Sequence, residues 1–211
     1  MKVLYSDKDI AVVIKPVGVS SQESHDFKDD MITLIQKELG CDEVYVVHRL
    51  DQMVSGVMVY ALNRDAAAKL SAQISGSGFN KKYRAVLAGI PKEKKGELTD
   101  WLVKDPATNL SRVCGAGTKG AREAKLKYKV TENKFIGGRQ MSKVEIELIT
   151  GRHHQIRVQF GSRGCPIEGD VKYGYKGEPE PIALAAVEAA FFHPKTKKAM
   201  RFTYDWDRNI S

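Results

Sequence analysis

The stretch HRLDQMVSG at His48–Gly56 decides how the fold is interpreted. It separates two apolar runs, Val44–Val47 and Val57–Leu62, and both runs predict buried strands. Asp51 therefore lies in a loop between two strands of the core. An aspartate in such a loop often bonds nearby backbone amides. A buried carboxylate is costly unless it is paired or used in chemistry, so Asp51 is also the first candidate functional residue.

A second stretch, GRHHQIR at Gly151–Arg157, offers a cation from far along the chain. A short helix is predicted over His154–Gly161, and it carries Arg157. An arginine on a helix is commonly solvent-facing. Beside Asp51, it would instead form a forked ion pair and hold the pKa of that carboxyl below its usual range. A charged aspartate suits attack on carbon, or stabilisation of an oxocarbenium-like sugar, rather than proton donation.

The remaining sequence is rich in predicted strands and poor in helices. One helix is capped by Asp29 or Asp30 and runs to about Leu39, and a second is capped by Asn63 and stops near Gly76. The other predicted strands are Met1–Tyr5, Ile10–Lys15, Lys82–Ala88, Leu98–Val103, Lys125–Thr131, Ser142–Ile149, Ala183–Phe192 and Met200–Tyr204. The rest of 91–121 is turn-rich. This order favours the α+β class over alternating βαβ units.

Length and composition indicate one folded domain spanning residues 1–211. The chain has 211 residues and 42% hydrophobic residues, enough for a core and too many for global disorder. Its formal net charge is +8, which favours nucleic acid or another anionic surface as the partner. A generic basic soluble protein is the alternative.

Some of that charge follows one predicted strand. Lys125, Lys127 and Lys129 alternate with apolar residues, so the lysines share one face of the strand. Such a face either contacts a phosphate backbone or is simply solvated, or protects a sheet edge. The sequence does not decide between these.

The cysteines and the N-terminus indicate where the protein acts. Cys41, Cys114 and Cys165 are far apart and have no metal-ligand spacing, which fits reduced thiols. The apolar run Ile10–Ile14 is too short for a secretory signal, and no run is long enough to cross a membrane. We expect a cytoplasmic protein with no membrane association.

The histidines suggest a rival, metal-binding interpretation. His48, His153 and His154, with Asp51 and Asp170, are a conceivable ligand set. Their spacing matches no compact metal motif, and adjacent histidines on a helix point to different sides. No metal site is therefore expected. The glycine-rich segment 115–120 lacks the strand–loop–helix context of a phosphate-binding loop.

Four ordered blocks of the sequence together resemble the RluA-type family of pseudouridine synthases, which isomerise uridine in structured RNA. Coverage runs from about Tyr5 to Tyr204, and the signature block combined with the Gln-Ile-Arg block is highly specific. The blocks are Lys15–Gly18, His48–Asp51 with Ser55–Gly56, Lys81–Ala85, and Gly151–Val158 followed by Gly164–Asp170 and Tyr173–Gly174; a similar tail is Ala183–Ala185 with His193–Pro194.

The resemblance implies a fold, a reaction and a set of site residues. The fold is α+β, with a long, mixed, mostly antiparallel sheet, flanking helices and an RNA-binding cleft. The reaction needs no cofactor, and the protein is expected to be a monomer. Asp51 corresponds to the catalytic carboxylate, and the substrate-binding residues are Arg49, Tyr83, Arg157 and Leu184. Arg157 would pair with Asp51, and Tyr83 would stack on the target base. Leu184 would form the floor of the pocket for that base, and Arg49 would fill the gap left in the RNA by the extruded uridine.

The departures from the family pattern are small. Val54 stands where threonine is usual, and His153 stands where threonine or serine is usual. Neither position is expected to do chemistry. No separate N-terminal RNA-binding module is expected, and rRNA and tRNA are both plausible substrates. Two alternatives stay open: a catalytically inactive RNA-binding or ribosome-assembly factor on the same fold, and a metal-dependent nuclease using the histidines.

Overall fold

The computed structural model describes residues 1–23, 30–178, 181–206 and 208. The chain packs as two compact units. The first unit combines Met1–Lys82 with Ala185–Trp206, and the second comprises Tyr83–Leu184 and residue 208. The N-terminal and C-terminal parts of the chain thus share the first unit.

Eleven strands and three α-helices occur in the described part of the chain. The helices are α1 (Met31–Leu39), α2 (Arg64–Ser75) and α3 (Gln155–Gly161). The strands are β1 (Lys2–Ser6), β2 (Ile10–Lys15), β3 (Tyr45–Val46), β4 (Ser55–Ala61), β5 (Phe79–Ala88), β6 (Lys95–Asp105), β7 (Leu110–Cys114), β8 (Arg122–Ile136), β9 (Arg139–Leu148), β10 (Leu184–Phe192) and β11 (Ala199–Thr203).

In the first unit, the strand order is β1-β2-β4-β10-β11, with β3 also paired to β4. The pairing of β4 with β10 is parallel, whereas β1–β2, β2–β4, β3–β4 and β10–β11 are antiparallel. Strand β4 is buried along its whole length, as expected for a central strand. Val57, Val59, Leu70 and Phe191 belong to the hydrophobic core that joins these strands to α2.

The two predicted helix caps in this unit are confirmed. The carboxylate of Asp30 accepts a hydrogen bond from Thr33 N at 2.9 Å at the start of α1, and the amide oxygen of Asn63 does the same for Ala66 N at the start of α2. Gly40 ends α1 in the left-handed conformation. The alternative cap, Asp29, lies outside the described residues.

In the second unit, β6 pairs antiparallel with both β7 and β8, and β8 pairs antiparallel with β9. Strand β7 was not predicted, because Leu110–Cys114 is short and has no clear period-2 alternation. Strands β8 and β9 extend further than predicted and meet at a Gly137-Gly138 turn, where both glycines have positive φ. Backbone hydrogen bonds hold these polar ends of the two strands together. Hydrophobic periodicity therefore does not predict that the strands extend so far.

The expected α+β class is confirmed, with strands of mixed direction that pair mostly antiparallel. The predicted helix near His154 is also confirmed as α3, which begins one residue later than predicted.

Candidate active site

The loop that carries Asp51 is held on one side by Ser21. The Ser21 hydroxyl donates to Leu50 O at 2.7 Å and accepts from Leu50 N at 3.1 Å. The Tyr60 hydroxyl, near the end of β4, donates to Ser21 O at 2.8 Å. The residue before Asp51 is therefore anchored to the core strand through a single buried serine.

The residue after Asp51 is held equally firmly. Gln52 O accepts from Gly18 N at 2.8 Å and from the Lys15 amine at 3.0 Å, and the Gln52 side chain donates to Gly18 O at 2.8 Å. Within the loop, Val54 N donates to Asp51 O at 2.9 Å. Because the backbone is fixed on both sides, Asp51 has little freedom to move, as a catalytic group requires.

Lys15 is the unexpected member of this site. Its side chain is fully buried at the end of β2, and its amine donates to Pro16 O, Val19 O and Gln52 O at 2.8–3.0 Å. Burial lowers the pKa of Lys15 to about 8, although the negative charge of Asp51 opposes that shift. Lys15 thus ties the segment 16–19 to the Asp51 loop and places a cation near the carboxylate.

Gly56 explains why a Ser-Gly pair follows the loop. Gly56 lies opposite Ala186 in the parallel pairing of β4 with β10, and its φ is +135°. A Cβ atom at Gly56 would lie 2.2 Å from Ala186 O, so only glycine fits there. The close approach of β10 therefore sets the exit of the Asp51 loop.

Arg49 lies on the solvent side of the same loop. It is exposed, and its guanidinium donates to the Gln22 side chain at 3.2 Å. The Arg49 guanidinium is thus exposed two residues before Asp51.

In the second unit, Arg157 is buried rather than solvent-facing. It lies on α3, and its guanidinium donates to both carboxylate oxygens of Asp170, Nε to Oδ2 at 2.7 Å and Nη2 to Oδ1 at 2.9 Å. This two-point geometry fixes the plane of the guanidinium. The pairing of Arg157 with Asp51 stays a prediction.

Tyr173 holds the same arginine from another direction. Its ring lies 5.0 Å from the Arg157 guanidinium, within cation–π range. Its hydroxyl accepts from Ser111 N at 2.9 Å and lies 2.8 Å from His154 Nδ1. A Cβ atom at Gly161 would lie 2.6 Å from Tyr173 O, so this glycine allows the backbone of Tyr173 to approach α3.

The neighbouring glutamines explain why a short helix with polar residues is buried. Gln155 accepts from Thr150 and from Arg152 N, and it donates to Lys125 O and to Gln159. Gln159 in turn donates to Asp100 at 2.7 Å. Each polar side chain on α3 has specific partners, so the helix orients Arg157 without flexibility.

The two apolar candidates are buried as the sequence predicts. Tyr83, Ala85 and Leu87 share one face of β5 and are at most 5% exposed. Leu184 begins β10 and is 4% exposed. Their proposed contacts with a uracil base are taken up below.

The histidines considered as metal ligands have other partners. His48 Nε2 accepts from Val59 N, His153 Nδ1 lies 2.9 Å from the Ser111 hydroxyl, and His154 bonds Tyr173. These contacts give each histidine a role in the protein structure itself.

A different group, Asp7, Asp9 and His193, brings potential ligand atoms within 4.8 Å of one another. His193 Nδ1 accepts from two backbone amides, so its proton is on Nε2, which donates to Asp7 at 2.8 Å. Asp7 also accepts from the Tyr5 hydroxyl. This hydrogen bonding accounts for the group without a metal ion.

Comparison with known proteins decides the family. The RNA pseudouridylate synthase family matches residues 9–162. The chain belongs to this family. A dual-specificity RNA pseudouridine synthase RluA of Yersinia pestis is 33% identical over 211 residues, which cover 96% of this chain and 97% of the relative. An uncharacterized RNA pseudouridine synthase of Aquifex aeolicus is 31% identical, over 96% of this chain and 68% of the relative.

Solved structures of pseudouridine synthases agree with this fold. Human RNA pseudouridylate synthase domain containing 1 superposes with a TM-score of 0.80 at 23% identity, over 96% of this chain and 82% of that one. The protein is an RNA pseudouridine synthase of the RluA type, an isomerase that converts uridine to pseudouridine. Its substrate is therefore RNA. None of the helices in the described residues is long and apolar enough to cross a membrane.

Three residues were not predicted as site residues of a pseudouridine synthase, although Asp170 was considered in the metal-binding interpretation. Lys15, Asp170 and Tyr173 lie within the quoted blocks, but the blocks do not reveal what these side chains touch. The sequence did contain a signal for Lys15: it ends the apolar run 10–15, and a lysine in a core strand requires polar partners.

The lysine-faced strand is electrically balanced in this pseudouridine synthase. Lys127 lies between Glu97 on β6 and Glu147 on β9, and Lys129 lies between Lys95 on β6 and Glu145 on β9. The Lys125 amine lies 3.1 Å from Glu123. Because each lysine has a neighbouring carboxylate, this face is not a strongly positive surface.

Proposed function

We propose that Asp51 is the catalytic carboxylate of this synthase. The observation that carries the proposal is the two-sided anchoring of its loop, through Ser21 on one side and Lys15 and Gly18 on the other. A group fixed in this way is ready to act without reorganisation. In the reaction, the bond between uracil N1 and ribose C1′ breaks, the base turns, and C5 bonds to C1′. C5 loses its hydrogen as a proton, and N1 takes up a proton from the solvent.

Arg157 is the proposed partner that keeps Asp51 charged and oriented. Its guanidinium is already fixed by Asp170 and Tyr173, so a further contact costs little additional ordering. A carboxylate kept ionised in this way suits either addition to the sugar carbon or stabilisation of a positively charged sugar.

Three further side chains are proposed to receive the target nucleotide. Tyr83 stacks on the uracil, and Leu184 packs the floor of its pocket. Arg49 fills the gap left in the RNA when the uridine is extruded. Extrusion costs a few kcal/mol, and a stacked guanidinium together with pocket contacts offsets it.

The natural substrate is proposed to be structured rRNA, tRNA or both. Relatives named as dual-specificity synthases support this choice. We further propose that the protein is cytoplasmic and monomeric, acts without a cofactor, and uses residues 1–211 as one catalytic domain.

Release of tritium from RNA made with [5-³H]uridine tests the assignment of Asp51. The substrate is total RNA from a strain that lacks the gene, so the target uridines are unmodified. The wild-type chain is expected to release tritium, and Asp51→Asn, which keeps shape but loses charge, is expected to bind the RNA without turnover. Asp42→Asn, an exposed carboxylate on the same unit, is the matched control and should remain active.

Turnover by Asp51→Asn would refute the assignment. A wild-type chain that binds RNA but releases no tritium would favour the inactive RNA-binding factor instead. Mapping the lost pseudouridines in the deletion strain identifies the RNA and the positions.

A further inference from the structure

A cavity of about 490 Å³ lies in the second unit, away from the Asp51 loop along the chain. It is bounded by the β6–β7 hairpin, by α3 and by the 3-10 helix Val171–Tyr173. This volume is within the range of small-molecule sites and suits a single nucleotide. None of the site residues predicted from the sequence lines it.

The charges at the cavity favour an anion. Arg112 and Lys172 reach it from different elements, and neither forms an ion pair within the described residues. The acidic lining residue, Asp105, is already engaged: its carboxylate accepts from Ala107 N and from the Thr108 hydroxyl, both at 2.9 Å. Those hydrogen bonds lower the pKa of Asp105, and Arg112 contributes less. The two cations are therefore available to a ligand.

The rest of the wall is apolar or aromatic. Val113 is 37% exposed and Val158 is buried, and both line the cavity together with the ring of Tyr173. A ligand with both a charged group and a flat apolar part matches this combination. A nucleotide has a phosphate for the cations and a base for the apolar wall.

We propose that this cavity binds one nucleotide of the substrate RNA other than the target uridine. The proposal rests on the function proposed above, since it takes RNA as the ligand. Tyr173 lines the cavity and also packs on Arg157 within the same unit. A nucleotide bound there anchors the strand beside the tyrosine that holds Arg157, the proposed partner of Asp51.

Methyl NMR of the full chain with labelled valines tests the site directly, with adenosine 5′-monophosphate as the probe. Its adenine base is larger than uracil, so the probe is not expected to bind in the proposed pocket for the target uracil. It should shift the methyl signals of Val113 and Val158, and Lys172→Gln with Arg112→Gln should weaken binding by about tenfold or more, the usual value of charge-assisted contacts. Lys119→Gln is the matched control, since it removes an exposed charge of the same unit that does not line the cavity.

Competition and kinetics with [5-³H]uridine RNA show whether the cavity binds a nucleotide of the RNA strand or a free nucleotide. If the site holds the strand, RNA displaces the probe from the Val113 signal, and Lys172→Gln raises KM with kcat unchanged. For Lys172→Gln, the slope of log affinity for RNA against log salt concentration should also become less steep by about 0.7–0.9, the contribution of one phosphate contact. Val113→Trp, which fills the cavity without changing charge, should likewise raise KM.

Three outcomes overturn the proposal. The first is no shift at Val113 or Val158 with the probe. The second is a probe that RNA does not displace, which would indicate a site for free nucleotides. The third is an unchanged KM in Lys172→Gln and Val113→Trp. The NMR result is independent of the role of Asp51, so failure of the catalytic assignment would not be mistaken for failure of this site.

Discussion

The guanidinium of Arg157 and the carboxylate of Asp170 form a two-point ion pair whose side chains are only 6% and 1% exposed. Both charges are thus largely removed from water, and two hydrogen bonds join them. The same guanidinium lies against the ring of Tyr173, the last residue of the 3-10 helix. Arg157 is consequently held in one orientation before any substrate binds.

Removing the anionic partner is expected to be costly. Asp170→Ala leaves the buried Arg157 charge without its carboxylate, and should lower the free energy of unfolding by about 3–5 kcal/mol. Urea denaturation measures this loss. Arg84→Ala breaks the exposed pair with Glu145 and should cost less than about 1 kcal/mol. Equal losses in the two variants would contradict the structural role of Asp170.

Lys15→Met is expected to destabilise the first unit. The change removes the Lys15 donor from the carbonyls of Pro16 and Val19 and one of the two donors to Gln52 O, and each hydrogen bond to a charged group contributes about 1.5–3 kcal/mol. Lys81→Met is the matched control, because the Lys81 amine lies over the Phe79 ring and donates no hydrogen bond within the described residues. Thermal or urea unfolding should show a clearly larger loss for Lys15→Met.

His48 should make the protein sensitive to acid. Burial, with a smaller contribution from the charge of Lys81, lowers the pKa of His48 to about 3. An unfolded histidine binds a proton below pH about 6.5. Between about pH 6.5 and 3 the unfolded state therefore binds more protons, so stability falls as the pH falls through this window.

The measurement is the free energy of unfolding of the wild-type chain minus that of His48→Gln, at several pH values. This difference should shrink on acidification by up to about 1.4 kcal/mol per pH unit. Parallel curves for the two proteins would show that His48 does not titrate in this way.

Lys127→Gln should leave RNA affinity unchanged. Its charge lies between Glu97 and Glu147 on the neighbouring strands, so this position has no net positive charge that would attract a phosphate. Filter binding at two salt concentrations measures the affinity, and Lys172→Gln provides the contrast. A large loss in Lys127→Gln would mean that this strand contacts the phosphate backbone after all.

Much of the fold follows from local patterns. The apolar runs around His48–Gly56, the caps at Asp30 and Asn63, and the buried face of β5 were all predicted from spacing and residue type. Strand β7 and the outer half of the β8–β9 hairpin were not, because backbone pairing between polar segments leaves no periodic signal.

The sequence by itself determined the family, the order of the motif blocks and the identity of the candidate residues, since these depend on which residues stand in the chain. Only the tertiary structure decided that Lys15 binds three carbonyls, that Asp170 and Tyr173 hold Arg157, and that glutamates balance the lysine face. Most of these contacts join residues from different parts of the chain, and their energies depend on distance, burial and hydrogen-bond geometry, which residue types alone do not specify.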